Sequence, residues 1–182
     1  VHNVRNALAA MAAGVFVGLD AADVAEGLRT FKGIKRRLEL VGTADGVDVL
    51  DDFAHHPTAV LETLTALRTG YPGRRIWAVF EPRSASSCRR VFQQAFAQAF
   101  APADEVIIAA VFRSSLPEDE RLSAEQLVDD LTGQGQRARH LPDVSAIIAT
   151  IVAEHRPGDV VVLMSNGAFG GIHRALVQAL SA

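Results

Sequence analysis

Three short runs constrain this chain more than anything else in it: Arg75 to Phe80, Glu105 to Ala110 and Asp159 to Met164. Each is continuously apolar after its first residue, where a strand with one wet face would alternate. Such runs read as strands buried on both faces of a parallel sheet. The stretches between and after them read as helices: about Cys88 to Phe100, Ser123 to Leu131, a segment capped by Asp143 and reaching His155, and Ile172 to Leu180. Ala138 to Leu141 reads as a weaker strand. Strands alternating with helices of this length predict an α/β fold with a doubly wound, mostly parallel sheet.

The first part of the chain reads differently. Asn3 to Val17 predicts an Ala-rich helix with Leu8, Met11, Ala12 and Val15 on one face, ended by Gly18. Asp20 predicts an N-cap for a second helix, Ala21 to Thr30. A basic stretch, Phe31 to Glu39, marks a boundary. Leu38 to Thr43 and Val47 to Leu50 read as a hairpin around Ala44-Asp45-Gly46, Asp-Gly being a turn signal, and this adds an antiparallel strand to the sheet. Ala59 to Leu67 has helical spacing of apolar residues, and Pro57 suits the first turn of that helix. The expected division is residues 1–33 as a short helical piece and residues 34–182 as the α/β domain.

Composition removes several classes of function. With 49% hydrophobic residues the chain folds, and a net charge of −3 gives no reason to expect nucleic acid or an anionic membrane as partner. No apolar run reaches the roughly 18 residues of a membrane span. The single cysteine, Cys88, excludes an internal disulfide and fits a reducing compartment such as the cytoplasm. The chain opens on Val1, within a stretch that already reads as helix, which gives the expectation of a piece of a longer protein.

The densest titratable cluster is Asp51-Asp52-Phe53-Ala54-His55-His56-Pro57-Thr58, placed on a strand-to-helix turn. In open α/β sheets ligands bind outside the carboxyl ends of strands, where such a turn lies. Carboxylate and imidazole at this spacing suit a divalent metal, acid–base chemistry, phosphate contact, or simple helix capping, and spacing does not choose among them. Ser165-Asn166-Gly167-Ala168-Phe169-Gly170-Gly171 follows a strand and opens a helix, so its amides offer anion contacts; its glycines equally serve a tight turn. The spacing is not that of a dinucleotide fingerprint, and no Walker-type phosphate loop occurs. Lys32, Lys35, Arg36 and Arg37 form one basic cluster, and Arg83, Arg89 and Arg90 flank a strand end and a helix start. Asn3 and Asn6 share a helix face, and amide side chains pair with a purine edge as well as they cap.

Three of these segments, in this order, resemble the C-terminal part of a Mur ligase. His2-Asn3-Val4-Arg5-Asn6-Ala7-Leu8-Ala9-Ala10 is similar to the helix that ends the family's ATP-binding central domain, Gly33-Ile34-Lys35-Arg36-Arg37-Leu38-Glu39 to the start of its C-terminal domain, and Asp51 to Thr58 to its signature turn. Phe80-Glu81-Pro82-Arg83-Ser84 and Met164 to His173 resemble the murein-peptide branch, which joins UDP-N-acetylmuramate to L-alanyl-γ-D-glutamyl-meso-diaminopimelate with ATP and Mg2+ in cell-wall recycling. The L-alanine-adding branch usually has Tyr where Phe53 stands and His-Arg where Arg83-Ser84 stands.

The resemblance implies a Rossmann-like domain preceded by a helical remnant of the central domain. It implies that His2, Asn3 and Asn6 contact the adenine and ribose of ATP, and that Arg37 reaches the nucleotide phosphates. Asp52 and His55 would line the cleft for the incoming amine and the acyl phosphate. Arg83 would hold a peptide carboxylate, and Ser165, Asn166, Gly167, Phe169 and Gly170 would form part of the peptide pocket. No metal ligand is expected in this chain: the phosphate loop, magnesium ligands and UDP-sugar domain of the family lie upstream. The alternatives are the L-alanine-adding ligase, a non-catalytic peptide- or nucleotide-binding module and, more remotely, a metal-dependent hydrolase built on Asp51, Asp52, His55 and His56.

Overall fold

The computed structural model describes residues 2–112 and 116–182, which fall into two compact units, Val1–Lys35 and Arg36–Ala182. The first unit is a pair of helices, α1 (His2–Phe16) and α2 (Ala21–Thr30). Gly18 leaves α1 with φ of 90°, and the Asp20 carboxylate accepts the Ala22 amide at 2.7 Å to cap α2. A Cβ at Gly14 would meet Val24 at 2.7 Å, so glycine is what lets the two helices approach. Two helices cannot enclose a core: no residue of α2 is buried, and Leu8, Phe16 and Phe31 stay exposed.

The second unit carries β1 (Glu39–Ala44), β2 (Val47–Asp52), α3 (Pro57–Gly70), β3 (Ile76–Phe80), α4 (Gln93–Ala99), β4 (Glu105–Ile108), α5 (Ala124–Gly133), β5 (Arg137–His140), α6 (Val144–Glu154), β6 (Val160–Met164) and α7 (Ile172–Leu180). They form a six-stranded sheet in the order β1-β2-β6-β3-β4-β5. Only the β1–β2 pair is antiparallel, turning through Asp45 and Gly46, both at positive φ as a two-residue hairpin turn needs. The mostly parallel sheet with an early hairpin is the one expected from the sequence.

Strand alternation sorts the core into two layers. Leu50, Ala78 and Phe80 point into a layer with Val60 and Leu64 of α3, Phe96 of α4 and Leu127 of α5. Trp77, Val79, Val161 and Leu163 point into the other, with Ile147 and Ile151 of α6 and Leu176 of α7. Phe80, Phe96 and Phe100 pack ring to ring, with centroids 5.0 to 6.4 Å apart. Among the described residues no helix is long and apolar enough to cross a membrane.

One predicted element starts later than expected. The helix read from Cys88 begins at Gln93, after a single 3-10 turn at Arg90–Phe92. The Arg90 amide bonds Glu120 O and the Leu122 amide bonds Cys88 O, so residues 88–90 run extended along 120–122 and cannot yet be helical. At the other end of α6's capping site, Asp143 occupies the N-cap position but its side chain makes no capping hydrogen bond.

Candidate active site

The chain leaves β3 toward α4 on one face of the sheet and returns through α6 on the other face, so β6 is inserted between β2 and β3. The loops after β3 and β6 therefore part in opposite directions and open a crevice at the carboxyl ends of these strands. Glu81 N bonds Met164 O at 3.0 Å, and Ser165 N bonds Asp52 O at 3.2 Å, so the three strand ends lie level.

Strand β2 continues two residues beyond Leu50, and this decides what the acidic pair does. Consecutive strand residues face opposite sides. Asp52 turns toward α3 and is only 4% exposed. Its Oδ2 accepts the Leu38 amide at 2.8 Å; its Oδ1 accepts the Ala54 amide at 2.8 Å and the Thr63 hydroxyl at 3.2 Å. With both oxygens occupied, Asp52 pins the chain before β1 and after β2. Asp51 turns the other way: Oδ2 meets Arg36 Nε at 3.1 Å, and Oδ1 lies 3.1 Å from His173 Nε2 of α7, off the line of a hydrogen bond.

Of the two neighbouring arginines, Arg36 enters the crevice. Its Nη2 donates to Ser165 O at 2.6 Å and to Gly167 O at 2.9 Å. Arg37 stays exposed, its guanidinium 5.6 Å from the Phe53 ring centroid, while Arg36 lies 5.2 Å from that ring. An arginine left exposed beside an aromatic face is placed to meet an anion.

The two histidines divide in role. His55 Nδ1 lies 2.8 Å from Phe53 O; a carbonyl can only accept, so Nδ1 is the donor, and in the neutral ring Nε2 is then the lone-pair nitrogen. His56 is the N-cap of α3, its Nδ1 accepting from the Thr58 amide at 3.4 Å, and its ring meets Phe92 edge-on at 4.9 Å. Asp51, Asp52, His55 and His56 thus point to four different partners. Among the described residues no group of three or more His, Cys, Asp and Glu could hold a metal ion.

Across the crevice, buried Glu81 accepts a short hydrogen bond from the Ser165 hydroxyl, which itself accepts the Gly167 amide at 2.9 Å. Arg83 Nη1 stands 3.5 Å from Glu81 Oε1, and its guanidinium lies 3.7 Å from the centroid of Phe112. A Cβ at Gly167 would overlap Arg83 Cδ and Nε, so glycine is needed there for close approach of a side chain. Behind Arg83, the Ser84 and Ser87 hydroxyls bond each other at 2.8 Å and each other's amides at 2.9 Å, fixing the loop.

The crevice brings Arg83, Ser165, Asn166 and Gly167 together. It does not bring Phe169, which is 1% exposed and packed in the α6–α7 layer. Gly170 turns toward α6, 3.0 Å from Val144 in the direction its side chain would take. The part of the predicted loop that lines the crevice therefore ends before Phe169, whose aromatic ring is buried in the core. In the first unit Asn3 and Asn6 are exposed on α1, free to offer donor and acceptor to a purine; the His2 side chain lies outside what is described. Sequence reasoning passed over Arg36, Glu81 and His173 as site residues. Glu81 and His173 stood within the family-like segments, and that was the signal available.

Residues 36–167 match the family model for the Mur ligase glutamate ligase domain. The chain belongs to the Mur ligase family. It is 42% identical over 181 residues to the UDP-N-acetylmuramate--L-alanyl-gamma-D-glutamyl-meso-2,6-diaminoheptandioate ligase of Escherichia coli K12, covering 99% of this chain and 38% of that protein. It is 37% identical over 177 residues to the UDP-N-acetylmuramate--L-alanine ligase of Desulfitobacterium hafniense, covering 97% and 39%. A crystal structure of a murein peptide ligase from Psychrobacter arcticus superposes with a TM-score of 0.77 at 36% identity, over 100% of this chain and 37% of that one. The chain thus spans less than two fifths of the length of these Mur ligases, or just about that share.

Proposed function

We propose that this chain is the C-terminal part of an ATP-dependent ligase that joins UDP-N-acetylmuramate to L-alanyl-γ-D-glutamyl-meso-diaminopimelate in murein recycling, in the cytoplasm. The observation that carries the proposal is the crevice between β3 and β6. There Arg83, backed by Phe112, lies over Gly167 beside the Ser165–Ala168 backbone. A guanidinium next to backbone amides suits a peptide bearing several carboxylates better than a single amino acid. The higher identity to the tripeptide ligase of Escherichia coli supports the same choice, and the 37% identity to an L-alanine ligase keeps the L-alanine-adding enzyme as the second reading.

In this proposal Arg83 orients the peptide. Nε2 of His55, freed by the Nδ1 bond to Phe53 O, accepts the proton that the attacking amine must lose. Arg37 contacts nucleotide phosphate, where cationic donors stabilise the charge of phosphoryl transfer. Asn3 and Asn6 contact adenine. ATP supplies the phosphoryl group that activates the muramyl carboxylate as an acyl phosphate. Mg2+ is assigned to residues outside this chain, as the family resemblance implies. Asp52 acts by holding the scaffold of the cleft, its oxygens being taken by backbone amides.

The test is ligation by the enzyme that carries this chain, supplied with ATP, Mg2+ and UDP-N-acetylmuramate and with either the tripeptide or L-alanine. Product with the tripeptide and not with L-alanine is expected. The reverse preference transfers the assignment to the L-alanine-adding enzyme, and no product with either leaves a non-catalytic binding module. The chain alone is expected neither to hydrolyse ATP nor to ligate, and robust ATP turnover by it contradicts the proposal.

A further inference from the structure

Arg36 is held in an unusual way for a surface arginine. Its backbone has φ of 59°, a region that L side chains rarely adopt. The conformation is fixed from both sides: the Arg36 amide donates to Glu39 Oε2 at 2.8 Å, and the Arg36 carbonyl accepts the Phe53 amide at 2.9 Å. The side chain then reaches across the crevice to three acceptors at once, Asp51 Oδ2 and the carbonyls of Ser165 and Gly167. Asp51 thus holds Arg36 from β2, and its other oxygen lies 3.1 Å from His173 Nε2 of α7 without a hydrogen bond between them.

This grip has a consequence for the loop. Among the described residues every peptide bond is trans. In a trans peptide the carbonyl and the next residue's N–H point in opposite directions. With the carbonyls of Ser165 and Gly167 turned onto Arg36, the amides of Asn166 and Ala168 are turned away from it. Among the described residues neither of these two amides donates a hydrogen bond, whereas the Gly167 amide between them is used by the Ser165 hydroxyl. The Asn166 side-chain Oδ1, also buried without a partner, is an acceptor and adds nothing to anion binding. Two free donors on alternate residues of one fixed loop make a small anion-binding concavity.

We infer that Arg36 is a positioning residue: by fixing the Ser165 and Gly167 carbonyls, it presents the Asn166 and Ala168 amides as a donor pair for a carboxylate of the bound peptide, with Asp51 holding Arg36 in place. The inference rests on the assignment of this loop to the peptide. It differs in kind from the role of Arg37, which faces outward and is assigned to phosphate. It also separates Arg36 from any arginine that meets the substrate itself, since its guanidinium is filled by groups of its own chain.

The test uses Arg36→Gln and Arg36→Lys in the ligase that carries this chain, and amide hydrogen exchange of the ligand-free chain. Neither replacement can span two carbonyls and a carboxylate in one fork. Both are expected to raise the KM for the tripeptide about tenfold or more, the scale of losing charge-assisted hydrogen bonds. The KM for ATP and kcat at saturating peptide are expected to stay within about twofold, because the donor pair orients the peptide and does not touch the nucleotide. The Gly167 amide, which donates to the Ser165 hydroxyl in the fixed loop, is expected to exchange faster in both variants. A lowered melting temperature with unchanged peptide KM and unchanged exchange overturns the inference and leaves Arg36 as a structural group. Full rescue by lysine also overturns it, because a single charge would then suffice. If the parent ligase does not accept the tripeptide, the functional assignment fails separately: faster exchange of the Gly167 amide still supports the grip, and unchanged exchange overturns it.

Discussion

Replacement of Asp52 by alanine is expected to lower the unfolding free energy of the second unit by about 4 kcal/mol. The carboxylate is buried and receives the Leu38 and Ala54 amides and the Thr63 hydroxyl. Hydrogen bonds to a charged acceptor contribute about 1.5–3 kcal/mol each, and the change leaves two backbone amides without a partner. At about 2–4 °C per kcal/mol for a domain of this size, the melting temperature is expected to fall by about 10 °C. Asp52→Asn is expected to be nearly as harmful, since its amide nitrogen would face one of the two N–H donors it replaces an acceptor for. Thermal and urea unfolding measure both. A variant of unchanged stability that has lost ligation would assign Asp52 to the chemistry instead of the scaffold.

The second large effect lies at the opposite end of the strands, before β6. Asp159, buried at the start of β6, accepts Arg75 Nη2 at 2.6 Å, the Trp77 indole N–H at 2.9 Å and the Arg156 amide at 3.0 Å. Asp159→Ala removes the nearest carboxylate from Arg75, which keeps Glu154 O and Glu105, and leaves the Trp77 and Arg156 N–H groups unpaired, a loss of about 3 kcal/mol. The same site gives a pH dependence. Burial pushes the Asp159 carboxyl up, but the bonds from Arg75, the Arg156 amide and Trp77 outweigh it and hold it below the usual carboxylate range. A depressed folded-state value means that its stabilisation is complete above the unfolded-state value of about 3.9 and is lost as the pH falls below that toward the folded-state value. Urea midpoints are therefore expected to drop steeply below about pH 4 in the wild type, and less so in Asp159→Ala. Parallel pH curves for the two proteins would contradict this.

The parts of the fold that were legible in the sequence are those written in local pattern. The unbroken apolar runs of β3 and β6 could only belong to strands buried on both faces, and Asp45-Gly46 carries the hairpin turn in two residues. Strand order was not legible, because the insertion of β6 between β2 and β3 is a long-range pairing that no local period records. The onset of α4 was missed because the bonds between residues 88–90 and 120–122 join segments thirty residues apart. The site shows the same division. The acidic pair was visible, but its opposite orientations depend on β2 continuing through Asp52. Arg36 was passed over for Arg37 because its left-handed backbone is imposed by Glu39 and Phe53 and is not a preference of arginine. Phe169 was placed in the peptide pocket by the family resemblance of its loop, yet its large aromatic side chain is buried in the layer beneath α6 and α7.

The central claim is that the peptide lies in the crevice between the loops after β3 and β6. The most direct measurement is amide hydrogen exchange across the ligase that carries this chain, with UDP-N-acetylmuramate and a non-hydrolysable ATP analogue present throughout, comparing samples with and without the tripeptide. The expected result is added protection confined, within this chain, to residues 81–84 and 165–168, and none on adding L-alanine at the same concentration. Protection that falls instead at the amino ends of the strands, around Arg68, Arg75 and Arg137, or that spares both loops, would contradict the account.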